Sequence, residues 1–166
     1  MNSELILEVN ADVIEQLYHI SNSTNVEDCG VFTGSLTQTG IYRINRISPS
    51  CSLKDSKSPH MCVRDANIAN EFIKQDYEAS NQTRVYIGEW HTHPEENPTP
   101  SALDRTSIID IFKNSTLPFK FLFFAIVGYK SIYWGCYDGH KIFRLTNIVQ
   151  VWKCIKILYV SFISLH

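Results

Sequence analysis

The 166-residue chain has no Cys-x-x-Cys pair, and its five cysteines (Cys29, Cys51, Cys62, Cys136 and Cys154) are odd in number. That spacing indicates neither a zinc ribbon nor a disulfide framework, so free thiols in a reducing cytoplasm are expected. A basic excess is also missing: fifteen Lys and Arg stand against seventeen Asp and Glu, for a net charge of -2. Little is left to neutralise a phosphate backbone, which argues against a dedicated nucleic-acid binder. No apolar run reaches the ~18 residues of a membrane span. The opening MNSELILEVN lacks the charged and apolar regions of a secretory signal. No membrane partner is expected, and the expected location is cytoplasmic. A TIM barrel, at ~250 residues, does not fit this length. The chain also contains no internal repeat and no low-complexity tract.

What is there suits one globular domain. Apolar residues make up 44%, enough to build a core. Helical spacing of Val13, Ile14, Leu17 and Tyr18 predicts a helix over 11–21. Residues 29–36 and 40–48 read as strands joined through Thr39-Gly40. Residues 49–62 are rich in Ser, Lys and Pro and read as a loop. A helix is expected over 65–79, with Ala66, Ile68, Ala69, Phe72 and Ile73 inward. RVYIGEW, 84–90, reads as a strand running into the proline-broken HTHPEENPTPS, after which Ser101 opens a helix to Lys113. Three β-like runs follow, 119–128, 131–137 and 140–148, the last two joined by the hairpin signal Asp138-Gly139. Strands interleaved with helices predict an α/β, or α+β layered, domain over 1–150. The apolar segment 151–166, with IKILYVSFISL at 155–165, is expected to pack on that domain.

The chemistry concentrates in GEWHTHPEENPTPSALD, 88–104. His91 and His93 stand two apart at a strand end, so both imidazoles point to the same face. Ser101 and Asp104 follow after a loop that turns back at its prolines, and the next helix can bring Asp104 in as a third ligand. Two neutral nitrogens and one carboxylate suit Zn²⁺ with an open fourth position. An H-x-H pair alone is weak. With Ser and Asp at their fixed offsets, the pattern arises by chance in on the order of one chain in a thousand, and here a strand, loop and helix supply the context such a motif needs.

H-x-H-x7-S-x2-D resembles the motif of the JAMM/MPN+ (JAB) zinc metalloproteases. That family also carries an upstream glutamate in E-x-G-G-x-L-x-G. Residues 27–34 read EDCGVFTG, so Glu27, Gly30 and Gly34 fall on the pattern. Cys29 replaces the first glycine, and Phe32 takes the aliphatic position. The resemblance covers Glu27 to about Tyr137. It implies the JAB/MPN fold: a mixed β-sheet flanked by helices, cytidine-deaminase-like. It also implies one catalytic Zn²⁺ on His91, His93 and Asp104, with Glu27 as general base and Ser101 as oxyanion donor. Asp28 and Glu89 are neighbouring acids that rank below Glu27. The wording around the motif is similar to the stand-alone JAB proteins of type II CBASS anti-phage operons, which accompany a fused E1–E2-like conjugating enzyme. The substrate so implied is a cGAS-like nucleotidyltransferase conjugated through its C-terminus. An extended tail would lie as an added strand, with contacts from the 49–64 segment. Trp90 and Glu95 flank the ligands and are candidates for lining the groove.

Rival readings differ at particular residues. A zinc nucleoside deaminase needs H-x-E followed by P-C-x-x-C, which is missing. A metallo-β-lactamase-type hydrolase needs Asp-His after H-x-H, where Pro94-Glu95-Glu96 stands. A non-catalytic MPN scaffold usually lacks one of the ligands. A JAB peptidase acting on a ubiquitin-fold sulfur carrier shares the motif and differs only in substrate. His19, His60, His140 and His166 have no partner at ligand spacing and are expected to be structural or exposed.

Overall fold

The computed structural model describes residues 5–152 except 39, 54, 56 and 57. The apolar segment beyond Trp152, with Cys154 and His166, lies outside the described residues. Eleven elements follow in chain order. They are β1 (Leu7–Asn10), α1 (Ala11–Asn22), β2 (Cys29–Leu36), β3 (Tyr42–Ile47), α2 (Ala66–Ala79), β4 (Val85–Thr92), α3 (Ala102–Asn114), β5 (Leu122–Val127), β6 (Ile132–Tyr137), β7 (Ile142–Arg144) and β8 (Ile148–Val151). The strands form one mixed sheet of order β7-β6-β5-β4-β2-β3-β1-β8. The β4–β5, β1–β3 and β1–β8 pairs are parallel, and the others are antiparallel.

β5 reads LFFAIV with every residue buried, the continuous apolar run expected of a strand covered on both faces. Its alternation divides the core. Phe123, Ala125 and Val127 face α1, packing with Val13 and Leu17. Leu122, Phe124 and Ile126 face α2 and α3, packing with Ala69 and Ile108. Each of the Leu, Ile, Val and Phe side chains contributes about 1.5–3 kcal/mol on burial. The layered mixed sheet agrees with the sequence reading.

Several local expectations change. The inward face of α2 is Ala69, Phe72, Ile73 and Asp76, while Ala66 and Ile68 are exposed. The spacing 69, 72, 73, 76 is one helical stripe from which Ile68 departs, while Ala66 is on the stripe but exposed as the first residue of the helix. The 140–148 run supplies only the short β7, and β1 and β8 are additional strands. Gly139 adopts φ 88°, and the Asp138 carboxylate accepts from the backbone N–H groups of His140 and Lys141. That is the turn chemistry expected of Asp-Gly.

The cysteine expectation is corrected. Cys29 and Cys62 are joined in a disulfide across 33 residues, whereas Cys51 and Cys136 are free and buried. Segment 49–65 is also more than a loop. Ser52 pairs with Arg64 and Ser58 with Met61 in antiparallel bridges, and Leu53 N–H donates to the Val63 carbonyl at 2.9 Å. The segment's described residues form a ribbon folded back on itself, which holds Cys62 against β2.

Candidate active site

β4 lies near the middle of the sheet, antiparallel to β2 and parallel to β5. His91 is opposite Cys29 in register, and the His93 N–H continues the β5 ladder by donating to the Val127 carbonyl at 3.0 Å. Strand alternation therefore holds both rings on one face, with their Nε2 atoms 3.2 Å apart.

The loop after His93 is fixed from outside. Tyr129 N–H donates to the Glu95 carbonyl at 2.8 Å, and Lys130 and Ser131 N–H groups donate to the Glu96 carbonyl at 3.0 and 3.1 Å. Ser131 Oγ donates to Asn97 Oδ1. Gly128 permits this approach: a Cβ there would come within 2.6 Å of the Glu95 carbonyl oxygen and 2.8 Å of that of Glu96. Small size, more than backbone freedom, is what this position requires.

The loop delivers Ser101 as the N-cap of α3. Ser101 Oγ accepts from Asp104 N–H at 3.1 Å, and Asp104 Oδ2 accepts from Ser101 N–H at 2.6 Å. This capping box satisfies two otherwise unpaired donors at the helix start. It also aims the Asp104 carboxylate at the histidines. Asp104 Oδ1 is 3.1 Å from His91 Nε2, and Oδ2 is 3.6 Å from His93 Nε2. Burial would raise the Asp104 pKa, but hydrogen bonds from His91, His93 and Ser101 outweigh it and hold the carboxyl well below the usual range.

His91, His93 and Asp104 are a group that can hold a metal ion. A tetrahedral ion with bonds of ~2.0–2.1 Å spaces its ligand atoms by ~3.3 Å. The two Nε2 atoms, 3.2 Å apart, and Asp104 Oδ1, 3.1 Å from His91 Nε2, lie close to that value. His93 Nδ1 lies 3.1 Å from Glu95 Oε1. A proton on Nδ1 donated to that carboxylate leaves the Nε2 lone pair free, an arrangement typical of metal-binding histidines. Burial opposes charge on His93, but the contacts with Asp104 and Glu95 prevail and raise its pKa.

Glu27 sits beside this group, only 9% exposed, with Oε1 3.6 Å from His93 Nε2. Burial pushes its pKa up to about 7 against the opposing pull of His93, with Asp104 and Glu95 adding to the rise. The two competing acids are engaged elsewhere. Asp28 Oδ1 accepts from Cys29 N–H and from the Ser50 and Ser52 hydroxyls. Glu89 pairs with Arg64 at 3.1 Å and accepts from Tyr86.

A groove of about 780 Å³ runs over these residues. α3 forms one wall, through Leu103, Ser107 and Ile111, and the ribbon forms the other, through His60, Met61 and Val63. Ser101 also lines it. Trp90 and Glu95 line it as well, Trp90 while itself buried against the core. His19 and His140 are exposed, and His60 sits exposed at the groove edge. Two elements of the site were missed from sequence: Glu95 as the partner of His93, and the Cys29–Cys62 bond. The first had a signal, because a carboxylate two residues past a loop histidine is within reach of its Nδ1. The second had none.

A family model described as "Prokaryotic homologs of the JAB domain" matches residues 11–136. A CD-NTase/cGAS isopeptidase of Vibrio cholerae serotype O1 is 38% identical over 63 residues, 38% of either chain. One of Escherichia coli is 45% identical over 60 residues, 36% of this chain and 35% of the relative. One of Pseudomonas aeruginosa is 64% identical over 28 residues, 17% and 18% of the two chains. The matched stretches thus span well under half the length of these curated relatives. A solution structure of a protein from Desulfitobacterium hafniense superposes with TM-score 0.66 at 17% identity, over 90% of this chain and 96% of that one. A second, from Salinibacter ruber, gives 0.50 at 19% identity, over 87% and 91%. At such identities these two likenesses concern the fold alone.

Proposed function

The chain belongs to the family of prokaryotic JAB-domain homologues, and on that footing we propose that it is a zinc-dependent isopeptidase. Its substrate is a cGAS-like nucleotidyltransferase conjugated to other proteins through an extended C-terminal tail, in cytoplasmic anti-phage defence alongside an E1–E2-like conjugating enzyme. The observation that carries the chemistry is the convergence of His91, His93 and Asp104 with the buried Glu27 beside them. The relatives named CD-NTase/cGAS isopeptidase support the substrate.

His91 Nε2, His93 Nε2 and an Asp104 oxygen would hold Zn²⁺. Bound there, zinc supplies Lewis acidity and a water-derived nucleophile near neutral pH. Glu27 takes the proton of the attacking water and passes it to the leaving amine, a task suited to a carboxyl near pH 7. The Ser101 hydroxyl, whose oxygen accepts from Asp104 N–H, keeps its own proton to donate to the oxyanion. Glu95 orients His93. The tail lies between α3 and the ribbon, where main-chain pairing gives affinity and side-chain pockets give selectivity. Attack by water needs no covalent enzyme intermediate, so no cysteine acts as nucleophile.

The test is cleavage of the cognate nucleotidyltransferase joined at its C-terminus to a cargo protein, with and without a zinc chelator. Chelator-sensitive cutting at the junction is expected. An intact junction, with zinc bound and the protein folded, would discard this substrate and direct attention to ubiquitin-fold carriers.

A further inference from the structure

The ribbon that walls the groove is fastened beside Glu27 by two adjacent ties. Glu27 N–H donates to the Ser58 carbonyl at 2.8 Å, and two residues later, where β2 begins, the Cys29–Cys62 disulfide joins the strand to the ribbon. Cys29 also faces His91 across the β2–β4 ladder. Residues 58–62 therefore close over the segment that carries the general base, and Cys29 and Cys62 both line the groove. Further down the ribbon, Arg64 pairs with Glu89 and the Ser52 hydroxyl donates to Asp28. Those contacts hold the ribbon's base whatever the state of the thiols.

The two sulfurs differ in access. Cys29 is buried and Cys62 only partly so. The free thiols Cys51 and Cys136 are completely buried, and burial pushes Cys136 up to about 12, which keeps it protonated and unreactive. Of the described cysteines, Cys62 is thus the one a small disulfide can reach, and Cys29 is its resolving partner.

We propose that Cys29 and Cys62 form a thiol-operated latch that fixes the ribbon tip, so that the redox state of this pair sets how firmly the groove holds its tail substrate. The latch rests on the isopeptidase reading for its effect on substrate, though not for its existence. Closure is a thiol–disulfide exchange with a small-molecule disulfide such as oxidised glutathione. The Cys62 thiolate attacks one glutathione sulfur and releases the first reduced glutathione. The Cys29 thiolate then attacks Cys62 Sγ of the mixed disulfide and releases the second. Two protein thiols are oxidised, one small disulfide is reduced, and the two protein protons end on the two glutathiones. A thiol reductant reverses the sequence.

The experiment compares the full-length protein after oxidised glutathione with the same protein after a phosphine reductant. Alkylation followed by peptide mass mapping should find the Cys29–Cys62 link in the first sample only. Hydrogen exchange of peptides covering 26–32 and 58–64 should be about tenfold faster in the reduced protein, while the β5 peptide is unchanged. Against the tail substrate, reduction should raise KM about tenfold and change kcat less than threefold, a split that general destabilisation would not give. Cys62→Ser should match the reduced enzyme and ignore oxidised glutathione. A link mapped elsewhere, or equal exchange in the two forms, overturns the latch. So does a KM indifferent to redox state. If neither form cuts the substrate, the isopeptidase reading fails, and mapping and exchange still decide the latch.

Discussion

Replacing Gly128 by alanine tests whether the ligand loop owes its position to the turn beneath it. The added Cβ would stand 2.6 Å from the Glu95 carbonyl oxygen, 2.8 Å from that of Glu96 and 2.5 Å from Pro98 Cδ, where ordinary contact begins at 3.4 Å. All three atoms belong to backbone or a proline ring, so no side chain can rotate away, and the loop must retreat by about 0.8 Å. Overpacking of this kind costs about 1–3 kcal/mol, partly offset by about 0.4–1 kcal/mol from the stiffer unfolded chain. A net loss of about 1–2 kcal/mol lowers Tm by roughly 2–8 °C in a chain of this size. The activity effect is larger. Glu95 is displaced together with the His93 ring it orients, and a misplacement near 1 Å costs on the order of 10²-fold in rate. Gly128→Ala should therefore stay folded, lose about 10- to 100-fold in kcat/KM, and bind zinc more weakly. Calorimetric melting, zinc titration and cleavage kinetics read the three quantities. A lowered Tm with wild-type kcat/KM and zinc affinity would refute the claim that this turn sets the ligand geometry.

Four further outcomes are expected. Glu27→Gln should abolish cleavage and retain zinc by metal analysis, because Glu27 is assigned as the base and not a ligand; loss of the metal would reverse that assignment. Glu95→Ala should weaken zinc binding about 10- to 100-fold, as removal of a histidine's outer partner does, which competition with a chromogenic chelator measures. Ser101→Ala should cost about 10²–10³ in kcat for the lost oxyanion donor, with about 1 kcal/mol of stability for the lost cap; a variant that loses only stability would leave Ser101 a cap and nothing more. Asp76 is buried, yet hydrogen bonds from Arg84 and Thr33 outweigh that burial and lower its pKa. Its contribution is therefore present above the unfolded value of ~3.9 and lost as pH falls through the lower folded value. Asp76→Asn should flatten the acid side of the stability profile below about pH 4 and cost about 1–3 kcal/mol at neutral pH through the weakened charge-assisted hydrogen bonds from Arg84 and Thr33, as denaturant melts at several pH values would show.

Elements with an internal signal were legible in the sequence. α1 carried its period, and the capping pair Ser101 and Asp104 marked the start of α3. His91 and His93 were readable because a two-residue spacing fixes direction on any strand. β1 and β8 were not, because each has four residues and is defined by parallel partners far away in the chain. The ribbon was hidden for a related reason. Its polar composition reads as loop, and what orders it are bonds to Asp28, Glu89 and Cys29 on other elements. Glu95 lay in plain view, but its role depends on a loop path set by Gly128 and Ser131, some 30 residues away.

Asp104 has two engagements at once: one oxygen closes the first turn of α3 and the other faces His91. An ion bound at this carboxylate and the initiation of the helix are therefore linked equilibria. Whatever favours one favours the other, and an ion at about a hundred times its Kd adds about 2.7 kcal/mol to the ordered state. Leu103 belongs to that same turn and forms part of the groove wall. In the proposed enzyme, metal supply would therefore act on the shape of the groove as well as on its chemistry, and loss of the ion would fray that wall.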